Sequence, residues 1–478
     1  MGRRGSRAVV LGASLAGLMT ARVLSETFDS VTLVDRDSLP DGPVPRRGVP
    51  QGWQSHGLHA RGREVLEDLF PGLTDELVAH GASLGDVQAD VTWVNDGHRL
   101  RRAVSGMQGI AFTRPLLEDR VRVRVRSLPG VTLRAPVDVL ELTADGDRVT
   151  GVRLRERGAH GDPETLAADL VVDATGRGSH SPVWLEELGY VTPDESAIDV
   201  GVGYTTWEFP RRSGDQGGDI AIIIGGTVAC PRFGAALAAE GDRWQVTAGG
   251  YVGDHASPSD IAAFRAFAAT LPAPDIGDLV ADREPLAPGR LHRFPSSRRR
   301  HYERLSRFPR GFLVIGDALC SFNPAYGQGM TVAAAEAAAL RELLAGPTRD
   351  DDLARRFFRR AARIIDVPWG IAGGGDLRLP AVPGPRPLKV RVINAYVARV
   401  QAAAAIDPAV GLAFLRVANT VDLPEALLRP SVAVRVLRAG RAKPAPGAPR
   451  PAQVPAPRAP AAEEAVPPVG IEPTLGPF

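Results

Sequence analysis

The chain has 478 residues, a formal net charge of +2 and 44% hydrophobic residues. A charge so close to zero excludes a strongly basic surface for nucleic acid, and the length allows two or three domains with a large core. Two cysteines, Cys230 and Cys320, provide neither a disulfide framework nor the spacing of a zinc site, so we expect a reducing, cytoplasmic location. No apolar run is long enough to cross a bilayer, so membrane insertion is not expected.

The first predicted unit is a strand, a turn, a helix and a strand over residues 7–35. The turn reads GASLAG, and the second strand ends at Asp35, about twenty residues beyond the glycines, as in dinucleotide-binding units. Gly12 makes the turn, Gly17 lets helix and strand pack closely, and the helix N-terminus faces a pyrophosphate. Ser14 replaces the usual second glycine, but it is small enough for phosphate to approach the backbone. An ordinary βαβ unit with a glycine-rich turn is the alternative.

Residues 38–57 are rich in proline and glycine, which predicts a loop without regular structure. Its length favours a functional role. The basic pair Arg46–Arg47 either contacts phosphates or the adenine edge of a nucleotide, or forms a solvated turn. His56 and His59 have no third ligand nearby, so no metal site is predicted.

The middle of the chain alternates strands and helices. A helix is predicted to open at Arg114–Pro115 and to run to residue 126, with proline near its start. Further strands are predicted over residues 91–94, 110–113, 131–133, 137–142, 149–155 and 169–173, and the last of these leads into the sequence DATGRGS.

Residues 199–295 have the pattern of an antiparallel sheet with one amphipathic helix, over residues 259–269, inserted into the nucleotide-binding domain. Strands are predicted over residues 201–209, 220–224 and 244–251. Their aromatic side chains are expected to line a pocket for an apolar substrate, although core packing explains most such residues; they are Tyr204, Trp207, Phe209, Trp244 and Tyr251.

A buried strand returns at residues 311–316 and ends at Asp317, and an alanine-rich helix begins near residue 329. A helix is predicted over 351–365, a Gly/Pro linker over 373–387 and mostly helix over 389–437. The remaining tail is rich in alanine and proline, which predicts disorder.

Three glycine-containing loops therefore follow parallel strands: GASLAG, DATGRGS and GDALCSFNPAYGQGM. In an open parallel sheet such loops lie together at the carboxyl edge, where ligands bind. Asp317 is placed to accept hydrogen bonds from a polyol, and the small residues 327–330 allow a flat ring or a phosphate to approach a helix start. Asn323–Pro324 fixes the loop shape. A nicotinamide dehydrogenase does not need this third loop.

With these loops, residues 7–344 resemble the FAD-dependent monooxygenases of the p-hydroxybenzoate hydroxylase fold, and within them the bacterial polyether epoxidases of the monensin and lasalocid type. The strings that carry the resemblance are GASLAG, PRRGVPQ, TRPLLE, ADLVVDATGRGS and GFLVIGDALCSFNPAYGQGM. The resemblance implies an α/β fold: a Rossmann-like FAD-binding domain with a βαβ parallel sheet, an inserted antiparallel-sheet substrate domain and C-terminal helices. The implied boundaries are 1–198 and 297–346 for the FAD-binding domain, 199–296 for the substrate domain, 347–440 for the helices and 441–478 for the disordered tail.

The resemblance also implies site residues. FAD would be bound by Gly12, Ser14, Ala16, Gly17, Asp35, Arg36, Arg47, Arg114, Val137, Asp317, Pro324, Gly327, Gln328, Gly329 and Met330. The flavin carries the chemistry, so no protein residue is assigned a definite catalytic role. The candidates expected near the flavin are Gln51, His56, Pro324 and Gly327.

The implied reaction is reduction of FAD by NADPH or NADH, formation of a C4a-hydroperoxyflavin with O2, and transfer of one oxygen atom to a small apolar substrate by epoxidation or hydroxylation. The sequence contains DATG in place of the usual Asp-Gly form and no second nucleotide-binding unit, so a separate flavin reductase is an alternative to direct reduction. Arg298–Arg300 either meet a nicotinamide 2′-phosphate or form a solvated helix start. The other readings are a flavin-dependent prenyl double-bond reductase and a non-catalytic flavin-binding protein. Trp207, in TWEFP, lacks the full motif of a flavin halogenase.

Overall fold

The computed structural model describes residues 5–158, 161–346 and 350–439, so the predicted disordered tail lies outside the described residues. The strands are β1 (Gly5–Leu11), β2 (Phe28–Val34), β3 (Ser55–Leu58), β4 (Ser83–Asp86), β5 (Val91–Asn95), β6 (His98–Arg99), β7 (Gln108–Thr113), β8 (Val131–Arg134), β9 (Val137–Asp145), β10 (Arg148–Glu156), β11 (Glu164–Ala167), β12 (Leu170–Asp173), β13 (Glu195–Ile198), β14 (Val202–Pro210), β15 (Ala221–Ile224), β16 (Arg232–Ala239), β17 (Arg243–Gly250), β18 (Ala287–Phe294), β19 (Ser297–Arg300), β20 (Phe312–Val314) and β21 (Cys320–Ser321).

The helices are α1 (Leu15–Leu24), α2 (Ala60–Leu69), α3 (Leu73–Ala79), α4 (Arg114–Arg126), α5 (Ser181–Glu187), α6 (Ile261–Ala268), α7 (Asp275–Val280), α8 (Gly329–Ala345), α9 (Asp350–Asp376), α10 (Leu388–Ala404), α11 (Pro408–Ala418) and α12 (Pro430–Ala439). Within the described ranges, no helix combines the length and the apolar character that a membrane crossing requires.

A five-stranded parallel sheet forms the first layer, in the order β20-β12-β1-β2-β8. Its central strand β1 buries Val9, Val10 and Leu11 almost completely, as expected when helices cover both faces of a sheet. The ends of β1, β12 and β20 are adjacent, because Ala174 N–H donates to Leu11 O and Ile315 N–H donates to Asp173 O. The predicted α/β class and the meeting of three loops at one sheet edge are confirmed.

A seven-stranded sheet forms the second layer, in the order β18-β14-β17-β16-β15-β5-β6. The sequence predicts an antiparallel sheet drawn from residues 199–295 alone, but β5 and β6 come from residues 91–99, and β5 pairs with β15 in parallel. Strands β16 and β18 were not predicted. The sequence of β16, RFGAALAA, is mostly small side chains without a period-two pattern, and β18 begins at Ala-Pro-Gly.

Two predicted irregular segments contain regular structure. In the predicted loop over 38–57, residues 50–53 form a 3₁₀ turn and β3 pairs with β7, so tertiary pairing overrides the local composition. Helix α9 continues through Pro368 to Asp376, so the predicted linker over 373–387 begins too early. Its glycines serve packing: a Cβ on Gly373 would lie 2.7 Å from Ile198 Cδ1, and one on Gly375 would lie 2.2 Å from the Tyr326 hydroxyl oxygen.

The arginine run Arg298–Arg300 is the end of β19 and not a solvated helix start. Arg299 is buried and its Nη1 lies 2.7 Å from Asp366 Oδ1; Arg300 is also buried, with its Nε 2.7 Å from Glu195 Oε1. Pairing of β19 with β13 and β21 places these side chains inside the protein.

Candidate functional site

One cavity of about 1670 Å³ runs from the carboxyl edge of the parallel sheet to the seven-stranded sheet. Residues of all three glycine loops line it, together with residues of α9, α10 and α11. Ligand pockets usually measure about 300–1,000 Å³. The cavity is therefore large enough for two ligands placed end to end.

The GASLAG turn forms one end of the cavity. Gly12 has a φ of +95°, and a Cβ on Gly17 would lie 1.8 Å from Gly12 O, so close packing requires glycine at position 17. Gly17 does not line the cavity. Ser14 is the N-cap of α1, but its side chain makes no capping hydrogen bond, which leaves the first amides of the helix available to an anion.

Asp35 follows β2 and contacts this turn. Its Oδ2 accepts a hydrogen bond of 2.7 Å from Ala13 N–H, and its Oδ1 accepts one of 2.8 Å from Asp37 N–H. Arg46 Nη1 lies 3.3 Å from the same carboxylate. The acid is thus held against the glycine turn, and Arg36 and Val137 line the cavity beside it.

A buried polar network connects the turn to α4. Arg114 Nη2 donates to Ser14 Oγ at 2.9 Å, Ser14 Oγ donates to Glu118 Oε2 at 2.9 Å, and Arg46 Nε donates to Glu118 Oε1 at 2.7 Å. Burial alone would raise the pKa of Glu118, but the guanidinium groups of Arg114 and Arg46 hold that pKa below its ordinary value. Glu118 is therefore ionised at neutral pH and balances two buried cations.

The structure places Arg46, and not the predicted Arg47, on the cavity wall, and it adds Glu118 to the polar network beside the turn. Arg46 is buried and lines the cavity, whereas Arg47 is exposed and does not. A loop has no regular repeat of side-chain directions, so the sequence does not predict which of two adjacent arginines points inward. Glu118 stands four residues after Arg114, the i,i+4 spacing of a helical ion pair, so the string TRPLLE contained a usable signal.

Asp317 follows β20 and lines the cavity. Among the described residues its carboxylate has no hydrogen-bond partner. Burial raises the pKa of Asp317, and the nearby charges of Arg114 and Arg177 oppose that effect. Arg177, of the DATGRGS loop, was not predicted as a site residue; its Nη1 donates to Ser321 Oγ at 2.7 Å, which connects the second loop to the third.

The third loop brings a second helix start to the cavity. Asn323 Oδ1 accepts a hydrogen bond of 3.1 Å from Ala325 N–H, and Gly327 has a φ of +65°. Gln328, the N-cap of α8, makes no side-chain capping bond, so the first amides of α8 are free of a side-chain partner. The predicted residues that line the cavity here are Pro324, Gly327, Gln328, Gly329 and Met330.

The candidates expected near the flavin also lie on the cavity wall. Gln51 and His56 line it from the segment around β3. Burial, followed by the charge of Arg114, lowers the pKa of His56 to about 4. Burial lowers the pKa of His59 to about 4 as well, and a Cβ on Gly327 would lie 3.2 Å from His59 Nε2. Both imidazoles are therefore neutral at pH 7.

The predicted aromatic residues divide between two faces of the large sheet. Tyr204 and Tyr251 line the cavity. Trp207, Phe209 and Trp244 do not; they are buried on the other face, in the cluster that contains Phe264 of α6. Alternation along β14 and β17 causes this separation, because residues at odd and even positions of one strand face opposite sides.

The far end of the cavity is a mainly apolar space that we call the chamber. Strands β5, β15 and β16 form its floor, and α10 and α11 form its opposite wall. Its side chains are Trp93, Ile223, Phe233, Leu237, Ile393, Val397 and Phe414. The sequence indicated β5 and part of α10 but not that they face each other.

A family model described as "FAD binding domain" matches residues 6–211. The chain is 36% identical to Protein Rv3254 of Mycobacterium tuberculosis over 439 residues, which is 88% of this chain and 91% of that protein. It is 31% identical to kynurenine 3-monooxygenase of Salinispora tropica over 37% of each chain. The solved structure of OxyS anhydrotetracycline hydroxylase from Streptomyces rimosus is similar in fold, with a TM-score of 0.57, 19% identity, 88% of this chain covered and 76% of that chain. The chain therefore belongs to the same family as Protein Rv3254, contains an FAD-binding domain over residues 6–211, and shares its fold with FAD-dependent monooxygenases of the p-hydroxybenzoate hydroxylase type.

Proposed function

We propose that this protein uses FAD, O2 and electrons from NADPH or NADH to insert one oxygen atom into an apolar, natural-product-like substrate. The observation that carries the proposal is the single cavity that joins the dinucleotide turn to the chamber. A cofactor and a substrate can lie in contact there without a wall between them.

The residues present fit FAD. The uncapped start of α1, with Gly12, Ser14 and Ala16, would bind the pyrophosphate, while Asp35 would bind the adenosine ribose. The unpartnered carboxylate of Asp317 suits a polyol chain, and Arg114 lies between the two ends. The second uncapped helix start and the loop from Pro324 to Met330 would border the flavin ring. When bound, FAD supplies the electron transfer and the oxygen chemistry.

The chain's own contribution is binding, orientation and exclusion of water. The apolar side chains of the chamber would hold a substrate next to the ring, and α10 and α11 would separate it from bulk solvent. His56 and His59 are neutral, so they add no charge beside the reacting atoms.

Hydroxylation and epoxidation remain two forms of this proposal. The names of kynurenine 3-monooxygenase and anhydrotetracycline hydroxylase favour hydroxylation. Epoxidation is the prediction that comes from the resemblance to polyether epoxidases.

The electron donor is also part of the proposal. Arg299 and Arg300 are buried in ion pairs, whereas Arg298 is half-buried and its Nε lies 3.6 Å from Glu195 Oε2. Arg298 is therefore the most accessible of the three arginines for a 2′-phosphate. We expect direct reduction by NADPH or NADH at a transient site, with a separate flavin reductase as the alternative route.

The test is reduction of the FAD-bound protein under anaerobic conditions, followed by admission of air. NADPH or NADH, or a flavin reductase with either, is expected to bleach the flavin absorbance, and O2 is expected to restore it with consumption of oxygen. Turnover of a prenyl substrate without O2 would support the reductase alternative. A bound flavin that neither donor system reduces would support a non-catalytic flavin protein.

A further inference from the structure

The C-terminal helices expose a concentration of apolar side chains. Of the eighteen large apolar side chains that are exposed in the described part of the chain, eight lie between residues 388 and 437, a segment of only 50 residues. Four of them form what we call the patch: Leu388 (73% exposed), Val392 (59%), Leu423 (65%) and Leu428 (62%). None of the four lines the cavity, so they are exposed to bulk solvent. Grouped apolar side chains on a surface mark an interaction site.

The patch is drawn from two adjacent segments. Its two residues on α10 are four positions apart and therefore share one face of that helix. The Tyr396 hydroxyl of α10 donates to Leu427 O at 2.7 Å, so the 3₁₀ turn Pro424–Leu428 packs against the same helix. Leu428 is the last residue of this turn, and Leu423 is its N-cap. The two halves of the patch are thus neighbours on the surface.

The patch and the chamber lie on opposite sides of α10. Ile393 and Val397 of this helix line the cavity. At 3.6 residues per turn, Leu388 lies about 140° around the helix from Ile393 and about 180° from Val397. A single helix therefore separates the patch from the space that we propose for the substrate.

Cations surround the patch. Residues 377–406 contain five Lys and Arg residues and no Asp or Glu, although the whole chain has a net charge of only +2. Beside the patch, Glu425 is an exposed acid, and Asp422 pairs with Arg416 at 2.9 Å. Four of the five cations are exposed and form no ion pair among the described residues; they are Arg386, Lys389, Arg391 and Arg399. The surface therefore has an excess of positive charge next to its apolar side chains.

This charge selects the occupant of the patch. A two-fold contact with a second copy of the chain would bring the same cations together, which is unfavourable. The sequence that follows α12 is also basic at first, because its charged residues up to position 458 are Arg441, Lys443, Arg450 and Arg458. Nucleic acid would match the cations but not the exposed leucines. An anionic bilayer matches both, through its phosphates and its acyl boundary.

We propose that the patch docks this protein on the surface of an anionic phospholipid bilayer, without a helix that crosses it. The apolar side chains of the patch enter the boundary between headgroups and acyl chains, and the surrounding cations contact lipid phosphates. Docking holds the α10 wall of the chamber against the phase in which apolar molecules concentrate. The docking stands on the surface alone, and only its use, uptake of an apolar substrate, rests on the proposed function.

The test is co-sedimentation of the full-length, FAD-bound protein with vesicles of phosphatidylglycerol and phosphatidylcholine in equal parts, and with vesicles of phosphatidylcholine alone. We expect wild-type protein to bind the mixed vesicles at least about tenfold more tightly, because several basic side chains add to the affinity for an anionic surface. Leu388→Gln combined with Val392→Gln should weaken this binding at least about tenfold. Arg391→Gln combined with Arg399→Gln should weaken it about tenfold on mixed vesicles only.

Val183→Gln combined with Val191→Gln is the matched control, because both valines are exposed, on α5 and just after it. This variant should bind mixed vesicles as wild-type protein does. Every variant is expected to retain FAD, since none of the replaced side chains lines the cavity.

Failure of wild-type protein to bind mixed vesicles, or undiminished binding by the Leu388→Gln, Val392→Gln variant, would refute the docking. Binding that persists in that variant but is lost when residues 440–478 are removed would assign the contact to the basic tail and also refute the patch. A dimer that this variant abolishes, without vesicle binding, would make a second copy the occupant. None of these outcomes depends on the reaction of the flavin with O2, so the docking and the proposed function are tested separately.

Discussion

Arg114 Nη2 and Ser14 Oγ are joined by a hydrogen bond of 2.9 Å across 100 residues of sequence. The same hydroxyl donates to Glu118, so the residue that replaces a glycine of the dinucleotide motif has two partners on α4. Position 14 is therefore more than a small residue that a phosphate can approach. It orients the guanidinium that we expect beside FAD.

Replacement of Ser14 by glycine is expected to weaken FAD binding about fivefold, because Arg114 loses a neutral hydrogen-bond partner. Titration of the apoprotein with FAD, followed by flavin fluorescence, measures the dissociation constant. Ser213→Ala, at an exposed position, is the control. An unchanged dissociation constant in Ser14→Gly would show that the hydroxyl does not position Arg114.

Replacement of Asp317 by alanine is expected to weaken FAD binding by about tenfold or more, since charge-assisted hydrogen bonds to a polyol would be lost. The same titration applies. The FAD affinity of Asp317→Asn should lie between those of wild-type protein and Asp317→Ala, because an amide oxygen still accepts hydrogen bonds. Wild-type affinity in Asp317→Ala would remove Asp317 from the site.

Glu336 of α8 provides a test of pH-dependent stability. It is fully buried, Gly316 N–H donates to its Oε2 at 2.7 Å, and burial raises its pKa from 4.5 to about 8. The folded protein thus binds a proton there that the unfolded chain releases, so the stability that this site contributes declines as pH rises from 4.5 to about 8.

Glu336→Gln should remove this dependence of stability on pH. The free energy of unfolding of the variant, relative to wild type, is expected to be higher at pH 8 than at pH 5 by about 2–4 kcal/mol. Urea unfolding at both pH values measures the difference. Glu187→Gln, at an exposed position of α5, should show no pH-dependent change. A pH-independent effect of Glu336→Gln would mean that Glu336 is ionised in the folded protein.

Helix α9 contains a matched pair of glycines. Gly375→Ala would place a Cβ 2.2 Å from the Tyr326 hydroxyl oxygen, whereas a Cβ on Gly370 would have nothing within 4 Å. We expect Gly375→Ala to lower the free energy of unfolding by about 1–3 kcal/mol through overpacking. Gly370→Ala should raise it by up to about 1 kcal/mol, because alanine is the better helix former. Equal effects would contradict the packing of Tyr326 on α9.

The sequence was most informative where a strand ends in a loop of distinctive composition. Apolar strands followed by GASLAG, DATGRGS and GDALCSF predicted both the parallel sheet and the edge where these loops meet, because that link depends only on local pattern and sheet topology. Asp35 and Asp317 were found for the same reason, because each follows closely after a buried parallel strand.

Side-chain direction and long-range pairing were much harder to predict. Arg47 was chosen although Arg46 points inward, because a loop has no period that fixes direction. Trp207 was assigned to the pocket although it faces α6, since composition does not say which face of a sheet covers a ligand. The parallel pairing of β5 with β15 joins segments about 130 residues apart, and no local signal encodes it. Gly375 resembled part of a linker because the contact that requires glycine there, with the Tyr326 hydroxyl, is made by a residue about 50 positions away in the sequence.

The central claim is that FAD bound in this cavity reacts with O2 as a monooxygenase flavin does. The most direct measurement is stopped-flow absorbance after anaerobically reduced, FAD-bound protein is mixed with oxygenated buffer. The account predicts that the oxidised spectrum returns through a transient species whose spectrum differs from those of oxidised and reduced flavin. A direct, single-phase return of the oxidised spectrum, at every oxygen concentration and with or without an apolar ligand in the chamber, would contradict it.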